Sequence, residues 1–425
     1  MILRVCLFIM AVGLFGLRAQ AQEFTPFRIP LYIFNVGSED APQYKVGINL
    51  QVGSVTDGSN TPWRMYEFDT GGTGFFAFPY SATENTQGEY SLSYASGNEL
   101  SAHLSNTSVT FEVTDGGAPA SLQSNIGLIS SASNPTHPDK SINQWTERLP
   151  NEAPLEKYFY GDFGMGLGSL PSTANTPNPV SLFALIPQFG NSANAGFVIH
   201  LGDVPASGVG KGLIGTGWVQ VGLTTNQLEA SHWDATAKMV TPSGETFLNS
   251  GQKVYEEILS NGTTSISTSP TDGTPLTFTN IGIVYDTGAP NTEIHPVGAD
   301  AGDYSDVSQA LADALANGGS FSLIGQPYEA SNDSTILDTP VGNVSGLNSI
   351  GLSTQNVIDS PALYVNTGIT AFFGKDVAFN LQDGYVGFNT VPEPNSSALF
   401  GISLLIGGWY VIRRSWSGYR RKKAL

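Results

Sequence analysis

Cysteine is almost missing from this chain: among 425 residues there is one, Cys6. Structural disulfides, thiolate metal clusters and thiol catalysis are thereby excluded from the body of the protein. Positive charge is scarce as well, with 18 Lys and Arg against 36 Asp and Glu and a formal net charge of −18. Set aside residues 1–21, which hold Arg4 and Arg18, and residues 391–425, which hold six basic residues and Glu393. The stretch between them then carries 10 basic and 35 acidic residues, a net of −25. A body so acidic repels phosphate backbones and anionic lipid, which argues against nucleic acid as a partner. The five histidines (His103, His137, His200, His232, His295) lack metal-ligand spacing. Acidic runs such as Gly37-Ser38-Glu39-Asp40 do not match a calcium loop and read as solvated faces. No Gly-x-Ser-x-Gly elbow, low-complexity tract or short repeat is present. What is abundant is glycine (49) and proline (25) beside 40% apolar residues, which suits a packed core built from many short strands.

The two ends read as addresses. Residues 1–21 place Arg4 before an apolar run from Val5 to Leu17 and end on Ala19-Gln20-Ala21, the order of a secretory signal cut by signal peptidase. At the other end come Val391-Pro392-Glu393-Pro394, a fifteen-residue apolar stretch over 398–412, Arg413-Arg414 and the cluster Arg420-Arg421-Lys422-Lys423. The stretch is shorter than the ~20 residues that span a bilayer comfortably. This order resembles a PEP-CTERM sorting tail. The resemblance implies an exported or surface-associated protein of a Gram-negative bacterium, released from transient membrane anchoring by an exosortase-type enzyme. A plain anchor left in place is the alternative.

Between the ends, residues 44–52, 90–94, 108–113, 196–201 and 277–285 alternate or run apolar over strand length. Helical patterning is confined to residues 180–189 and 307–316. The expected fold is mostly β. One tripeptide then occurs twice: Asp69-Thr70-Gly71 after residues 65–68, and Asp286-Thr287-Gly288 after residues 281–285. An aspartate at a strand end, followed by threonine and glycine, projects a carboxyl from a tight turn whose hydroxyl can tie one loop to another. Two such loops facing each other can share a proton, one carboxylate acting as base on water while its protonated partner polarises a carbonyl.

On these residues the chain resembles the pepsin-like aspartic peptidases. The segment 67–79 is similar to the first active-site segment and 283–296 to the second. Ser91-Leu92-Ser93-Tyr94-Ala95-Ser96-Gly97 is similar to the flap hairpin, with Tyr94 at the flap tyrosine's place. Asp162-Phe163-Gly164-Met165-Gly166-Leu167-Gly168 and residues 363–388 are similar to the segments that brace the two loops. The resemblance implies a bilobal acid-protease fold of two β-barrel-like lobes with a few short helices. A first lobe would cover 22–201 and a second 202–390, flanked by the signal and the tail. It implies Asp69 and Asp286 as the catalytic pair, needing no cofactor or metal. Thr70, Gly71, Thr287 and Gly288 would support the loops, and Gly166 and Gly368 would brace them. Tyr94, Gly97 and Phe76 would meet a polypeptide substrate. Three departures stand out: Gly72 and Ala289 where a hydroxyl residue is usual, and Phe76 where a tryptophan supports the flap. The function expected is a secreted aspartic endopeptidase. The alternative is a non-catalytic β-rich surface protein, or a pseudo-peptidase that binds peptides without cutting them.

Overall fold

The computed structural model describes residues 25–53, 61–79, 87–94, 97–114, 119–139, 142–143, 153–167, 195–203, 205, 209–240, 255, 259–269, 274–295, 301–330, 334–341, 350–353 and 363–390. Residues 1–21, 180–189 and 391–425, for which the sequence suggested a signal, a helix and a tail, lie outside them. The described residues up to Asn389 belong to one compact unit. The fold is mostly β, with two sheets and, among the described residues, one α-helix.

The larger sheet has thirteen strands. Eleven come first in the chain: β1 (Phe27–Asn35), β2 (Tyr44–Val52), β3 (Arg64–Asp69), β4 (Phe75–Ala77), β5 (Gln87–Ser93), β6 (Glu99–Phe111), β7 (Ala120–Ser133), β8 (Gly161–Gly164), β9 (Gly196–His200), β10 (Gly212–Val221) and β11 (Ala235–Lys238). The smaller sheet then takes seven: β12 (Ser260–Ser267), β13 (Leu276–Val284), β14 (Thr292–His295), β15 (Ser320–Gly325), β16 (Thr335–Pro340), β17 (Ile350–Leu352) and β18 (Tyr364–Asn366). The last two, β19 (Lys375–Asn380) and β20 (Tyr385–Thr390), return to the larger sheet. The order there is β11-β20-β19-β9-β10-β1-β2-β3-β8-β4-β7-β6-β5, and β2 also pairs with β6. That extra pairing closes β2, β3, β8, β4, β7 and β6 into a ring, which removes edges along most of this region. β5 is left as a terminal strand. The boundary expected at 201/202 falls between β9 and β10, which are antiparallel neighbours with Trp218 opposite His200.

The strands form where apolar residues alternate. In β1, Ile29, Leu31 and Ile33 are buried and the residues between them are not fully so. In β2, Val46, Ile48 and Leu50 are buried, with Lys45, Asn49 and Gln51 more exposed and Gly47 buried among them. One continuous core joins these to Ile281, Ile283, Phe321 and Leu323 of the smaller sheet and to Val377, Phe379 and Val386 of the returning strands. The helix, α1 (Ala301–Asn317), docks through Val307, Ala310, Leu311 and Ala314, an i, i+3, i+4, i+7 stripe. It stops at Gly318, whose φ of 70° lets the Gly319 N–H return to the Ala314 carbonyl at 2.7 Å. The sequence placed a shorter helix at 307–316. The extra turn and a half at its start includes exposed Ser305 and Asp306, which carry no apolar signal.

Two three-strand units carry the Asp-Thr-Gly loops. β8 inserts between β3 and β4, parallel to the first with Glu67 opposite Asp162, and antiparallel to the second. β18 inserts between β13 and β14 in the same two senses, with Val284 opposite Asn366. Each unit ends in one such loop, so the chain builds the same strand insertion twice.

Candidate functional site

The two Asp-Thr-Gly loops meet. The Thr70 hydroxyl donates to the Tyr285 carbonyl at 2.8 Å and accepts the Thr287 N–H at 2.9 Å. Reciprocally, the Thr287 hydroxyl donates to the Phe68 carbonyl at 2.7 Å and accepts the Thr70 N–H at 3.1 Å. Both threonines are buried, so these four bonds are shielded from water and fix one loop against the other. The glycines explain themselves by close approach. A Cβ on Gly71 would stand 2.5 Å from the Asp286 carboxyl carbon, and one on Gly288 would be as tight against Asp69. Any side chain at either position would drive the carboxyls apart.

Asp69 Oδ1 accepts the N–H groups of Gly71 and Gly72, each at 2.8 Å. Asp286 Oδ1 accepts those of Gly288 at 2.7 Å and Ala289 at 3.0 Å. The loops bring the two carboxyls close to each other, Asp286 packed against Gly71 of the first loop and Asp69 against Gly288 of the second. Burial, then the charges of Asp286, Asp162 and Glu67, hold Asp69 well above the usual carboxylate range. Two acids in such contact share a proton more readily than they both ionise.

Around this pair stand residues to which the sequence reading gave no role. Lys45 on β2 donates to Glu67 Oε1 at 2.5 Å and to the Gly288 carbonyl, so a cation on a neighbouring strand links β3 to the loop of the second insertion. Burial alone would push the Lys45 ammonium down, but Glu67, Asp69 and Asp286 together push it up, and it stays charged. Asn366 donates its amide to Asp286 Oδ2 at 2.6 Å and accepts the Gly368 N–H at 2.9 Å. Asp162 occupies the matching register position beside Asp69. Burial, then Glu67, raise its pKa well up, against the opposing effects of Tyr94 and Lys45. Sequence carried one faint signal for this pair: Asp162-Phe163-Gly164 and Asn366-Thr367-Gly368 are both polar-x-Gly, each downstream of its own Asp-Thr-Gly.

Of the predicted bracing residues, Gly166 donates its N–H to the Gly72 carbonyl at 2.7 Å, and Gly368 lies so close to the Asn291 carbonyl that a Cβ there would collide. Gly164, not singled out from the sequence, abuts the Gly72 and Gly74 carbonyls in the same way. Tyr94 follows β5 in the hairpin with β6, bonded across the turn to Asn98 and Gly97, and its hydroxyl donates to Asp162 Oδ2 at 2.7 Å. Phe76 is fully buried in a small apolar cluster against which Tyr94 packs. It supports the hairpin from beneath and does not line the cleft. Gly97 sits at the hairpin turn, also away from the cleft lining. The missing hydroxyl at Gly72 leaves no vacancy. A Cβ there would be 2.9 Å from Asp69 Oδ2 and 3.0 Å from Asp162 Oδ2, so the Asp162 carboxyl takes that side of the site.

The cleft has a volume of about 660 Å³ and is lined by Asp69, Asp286, Asp162, Lys45, Tyr94 and Glu293 among others. That is the range of sites that hold a ligand. Among the described residues, no group of three or more His, Asp or Glu is arranged to hold a metal ion.

No family model matches the chain, and no curated protein does. Solved structures similar to it include basic 7S globulin from soybean, at 14% identity and a TM-score of 0.49 over 86% of this chain and 96% of that one. Conglutin gamma, a basic 7S globulin from lupine seeds, gives the same values. The family drawn from the motifs is not borne out: no family model matches, and the solved structures similar to this chain are named as globulins. Nothing supports the PEP-CTERM tail or the exosortase that goes with it. The apolar stretch at 398–412, for which membrane anchoring was expected, lies outside the described residues. Among the described residues, no helix is long and apolar enough to cross a membrane.

Proposed function

We propose that the cleft hydrolyses peptide bonds by a two-carboxyl mechanism, within two lobes that each supply one aspartate loop. The observation that carries this reading is the facing Asp69–Asp286 pair, whose loops are held by reciprocal threonine bonds and border a cleft. Asp69, pushed up by burial and three neighbouring acids, keeps the shared proton. Asp286, with two backbone N–H donors and the Asn366 amide around it, takes a proton from a water molecule. The water oxygen then bonds to the substrate carbonyl carbon while Asp69 gives its proton to the carbonyl oxygen. Collapse of that tetrahedral species breaks the C–N bond, the leaving nitrogen takes up the proton that Asp286 received, and a hydroxyl of the new acid returns a proton to Asp69. β5, a terminal strand of the larger sheet, borders the cleft through Leu92 and Ser93, just before Tyr94, and offers an edge on which an extended polypeptide can pair. Residues 1–21 would export the protein to meet such a substrate.

The test is cleavage of casein by the full-length chain and by its Asp286→Asn variant, between pH 4 and pH 7. Wild-type cutting that the variant loses supports the reading, and equal cutting by both ends it. Peptide binding without cutting by either form would favour the second reading, a non-catalytic binder. Gly72 and Ala289, which bring no side-chain hydroxyl to the carboxyls, are the observation on its side.

A further inference from the structure

We propose that Asp162 is a positioning residue that holds the Tyr94 hairpin over the aspartate pair, occupying the side of the site that Gly72 leaves open. The inference rests on reading the cleft as a hydrolytic site, and it concerns how that site is covered.

The comparison within the chain makes Asp162 unusual. Asn366, its counterpart in the second strand insertion, spends both ends of its amide on its own loop: one on Asp286 and one on the Gly368 N–H. Asp162 makes no such inward bond. Its Oδ2 takes the hydroxyl of Tyr94, 68 residues away in sequence and on a different element. Its Oδ1 is buried and has no hydrogen-bond partner among the described residues, although Asp162 is only 4% exposed. A buried carboxyl with one oxygen unsatisfied costs free energy, so the bond that it does make is the reason to keep it there.

The hairpin needs that bond. The bonds at its turn, Tyr94 N–H to the Asn98 carbonyl and Gly97 N–H to the Tyr94 carbonyl, stay within the hairpin. The Asn134 amide ties Asn98 to the end of β7. Phe76, beneath the hairpin, is a hydrocarbon and offers no polar partner to the phenol. The Tyr94–Asp162 bond is therefore the link between the hairpin and the strand inserted beside Asp69. Gly72 makes it possible. Its ideal Cβ position lies within 3.0 Å of both the Asp69 and the Asp162 carboxyl oxygens, so a side chain there would separate the two acids or displace Asp162. One residue thus touches the cover with one oxygen and raises Asp69 through its charge.

Three variants of the full-length chain separate this role from a merely structural one. Asp162→Ala removes the acceptor, Tyr94→Phe removes the donor and keeps the ring, and Asp162→Asn keeps an acceptor oxygen while removing the charge. Amide hydrogen exchange is the first readout. We expect Asp162→Ala and Tyr94→Phe each to speed exchange at Tyr94 and Gly97 about tenfold, the loss of one hydrogen bond to a carboxylate. The double variant should go no further, Asp162→Asn should stay near wild type, and amides of β1 and β9 should not change. In peptide hydrolysis, the same two variants should raise KM several-fold, with rescue in Asp162→Asn. Hairpin exchange unchanged in Tyr94→Phe, or raised equally in β1 and β9, would overturn the proposal. A chain that hydrolyses nothing yet shows the predicted exchange pattern would sink the hydrolytic reading and leave Asp162 as the hairpin's anchor.

Discussion

The loop after β3 and the loop after β13 share a register, a reciprocal pair of threonine bonds and an inserted parallel strand, yet that strand presents Asp162 to the first and Asn366 to the second. The amide of Asn366 donates to Asp286 at 2.6 Å and steadies it. The carboxyl of Asp162 has nothing to donate when ionised and instead raises its neighbour Asp69. The backbone is thus duplicated closely, because each loop must fit against the other, while the side chains beside the two acids diverge. Such divergence is what separates the roles of two otherwise equivalent carboxyls.

The largest effect should come from breaking the pair itself. Asp69→Asn and Asp286→Asn are each expected to lower hydrolysis by about 10³-fold, since either change removes a group that must carry a proton. Their stabilities should differ. Asp69→Asn relieves a crowd of acids and should melt at or above the wild-type temperature at pH 7, whereas Asp286→Asn weakens a well-donated carboxylate and should melt lower. Thermal melts of both variants check this, and equal shifts would mean that the two loops are not electrostatically distinct.

Next in size is Lys45, the cation that links β3 to the loop of the second insertion. Lys45→Met leaves Glu67 facing the pair without its partner, and losing one half of a largely buried ion pair costs about 3 kcal/mol. Urea unfolding at pH 7 measures it. A loss below about 0.5 kcal/mol would class the pair with ordinary surface bridges.

Making the second loop imitate the first gives a smaller effect with a pH signature. Asn366→Asp removes the donor to Asp286 and adds a third acid there, at a cost of about 2 kcal/mol at pH 7. The sign with pH follows from linkage. Asp69 and Asp162 have folded pKa values raised above the ordinary aspartate value of 3.8, so the folded chain binds more protons than the unfolded one above that pH. Stability from these groups is therefore full below about pH 3.8 and is lost as pH rises toward their folded values. Wild type should lose melting temperature from pH 4 upward, Asn366→Asp should lose it more steeply, and Asp162→Asn less. A melting temperature that rises over that range in Asn366→Asp would contradict the sign.

How much of the molecule was legible in its sequence depended on locality. β2 was legible to the residue because alternation in Tyr44–Val52 is a property of those nine residues alone. The apolar stripe of α1 was legible for the same reason, and its exposed polar start was not. The two Asp-Thr-Gly loops were visible as a repeat. Their union by Thr70 and Thr287 is a contact across 217 residues that a hydroxyl in a tripeptide only permits. Lys45, Asp162 and Asn366 were hidden more deeply. Their roles come from which strand inserts beside which, and neither periodicity nor turn chemistry encodes a parallel strand pairing between Glu67 and Asp162. Phe76 shows the converse. Its position was noticed, but its side chain is buried in the apolar cluster on which the Tyr94 hairpin packs.

The smallest expected effect tests the two positions that bring no hydroxyl, Gly72 and Ala289. Judged from sequence, restoring the hydroxyl at either place should help its aspartate. The site geometry makes them unequal. At Ala289 a Cβ already exists and the backbone N–H already serves Asp286, so Ala289→Ser adds one oxygen to an only partly buried position. Its stability should stay within about 0.5 kcal/mol of wild type. At Gly72 a new Cβ would sit 2.9 Å from one carboxyl oxygen and 3.0 Å from another, closer than ordinary contact, and both neighbours are buried acids with little room to retreat. Gly72→Ser should therefore cost about 1 kcal/mol through overpacking, partly offset by its hydroxyl donating to one of the two acids. The discriminating measurement is the double variant Gly72→Ser with Asp162→Asn. If Asp162 is what fills that side of the site, removing its charge should let the serine hydroxyl serve Asp69 and recover most of the loss. If the double variant is as destabilised as Gly72→Ser alone, the strain lies in the loop backbone, and the asymmetry between the two loops is steric rather than electrostatic.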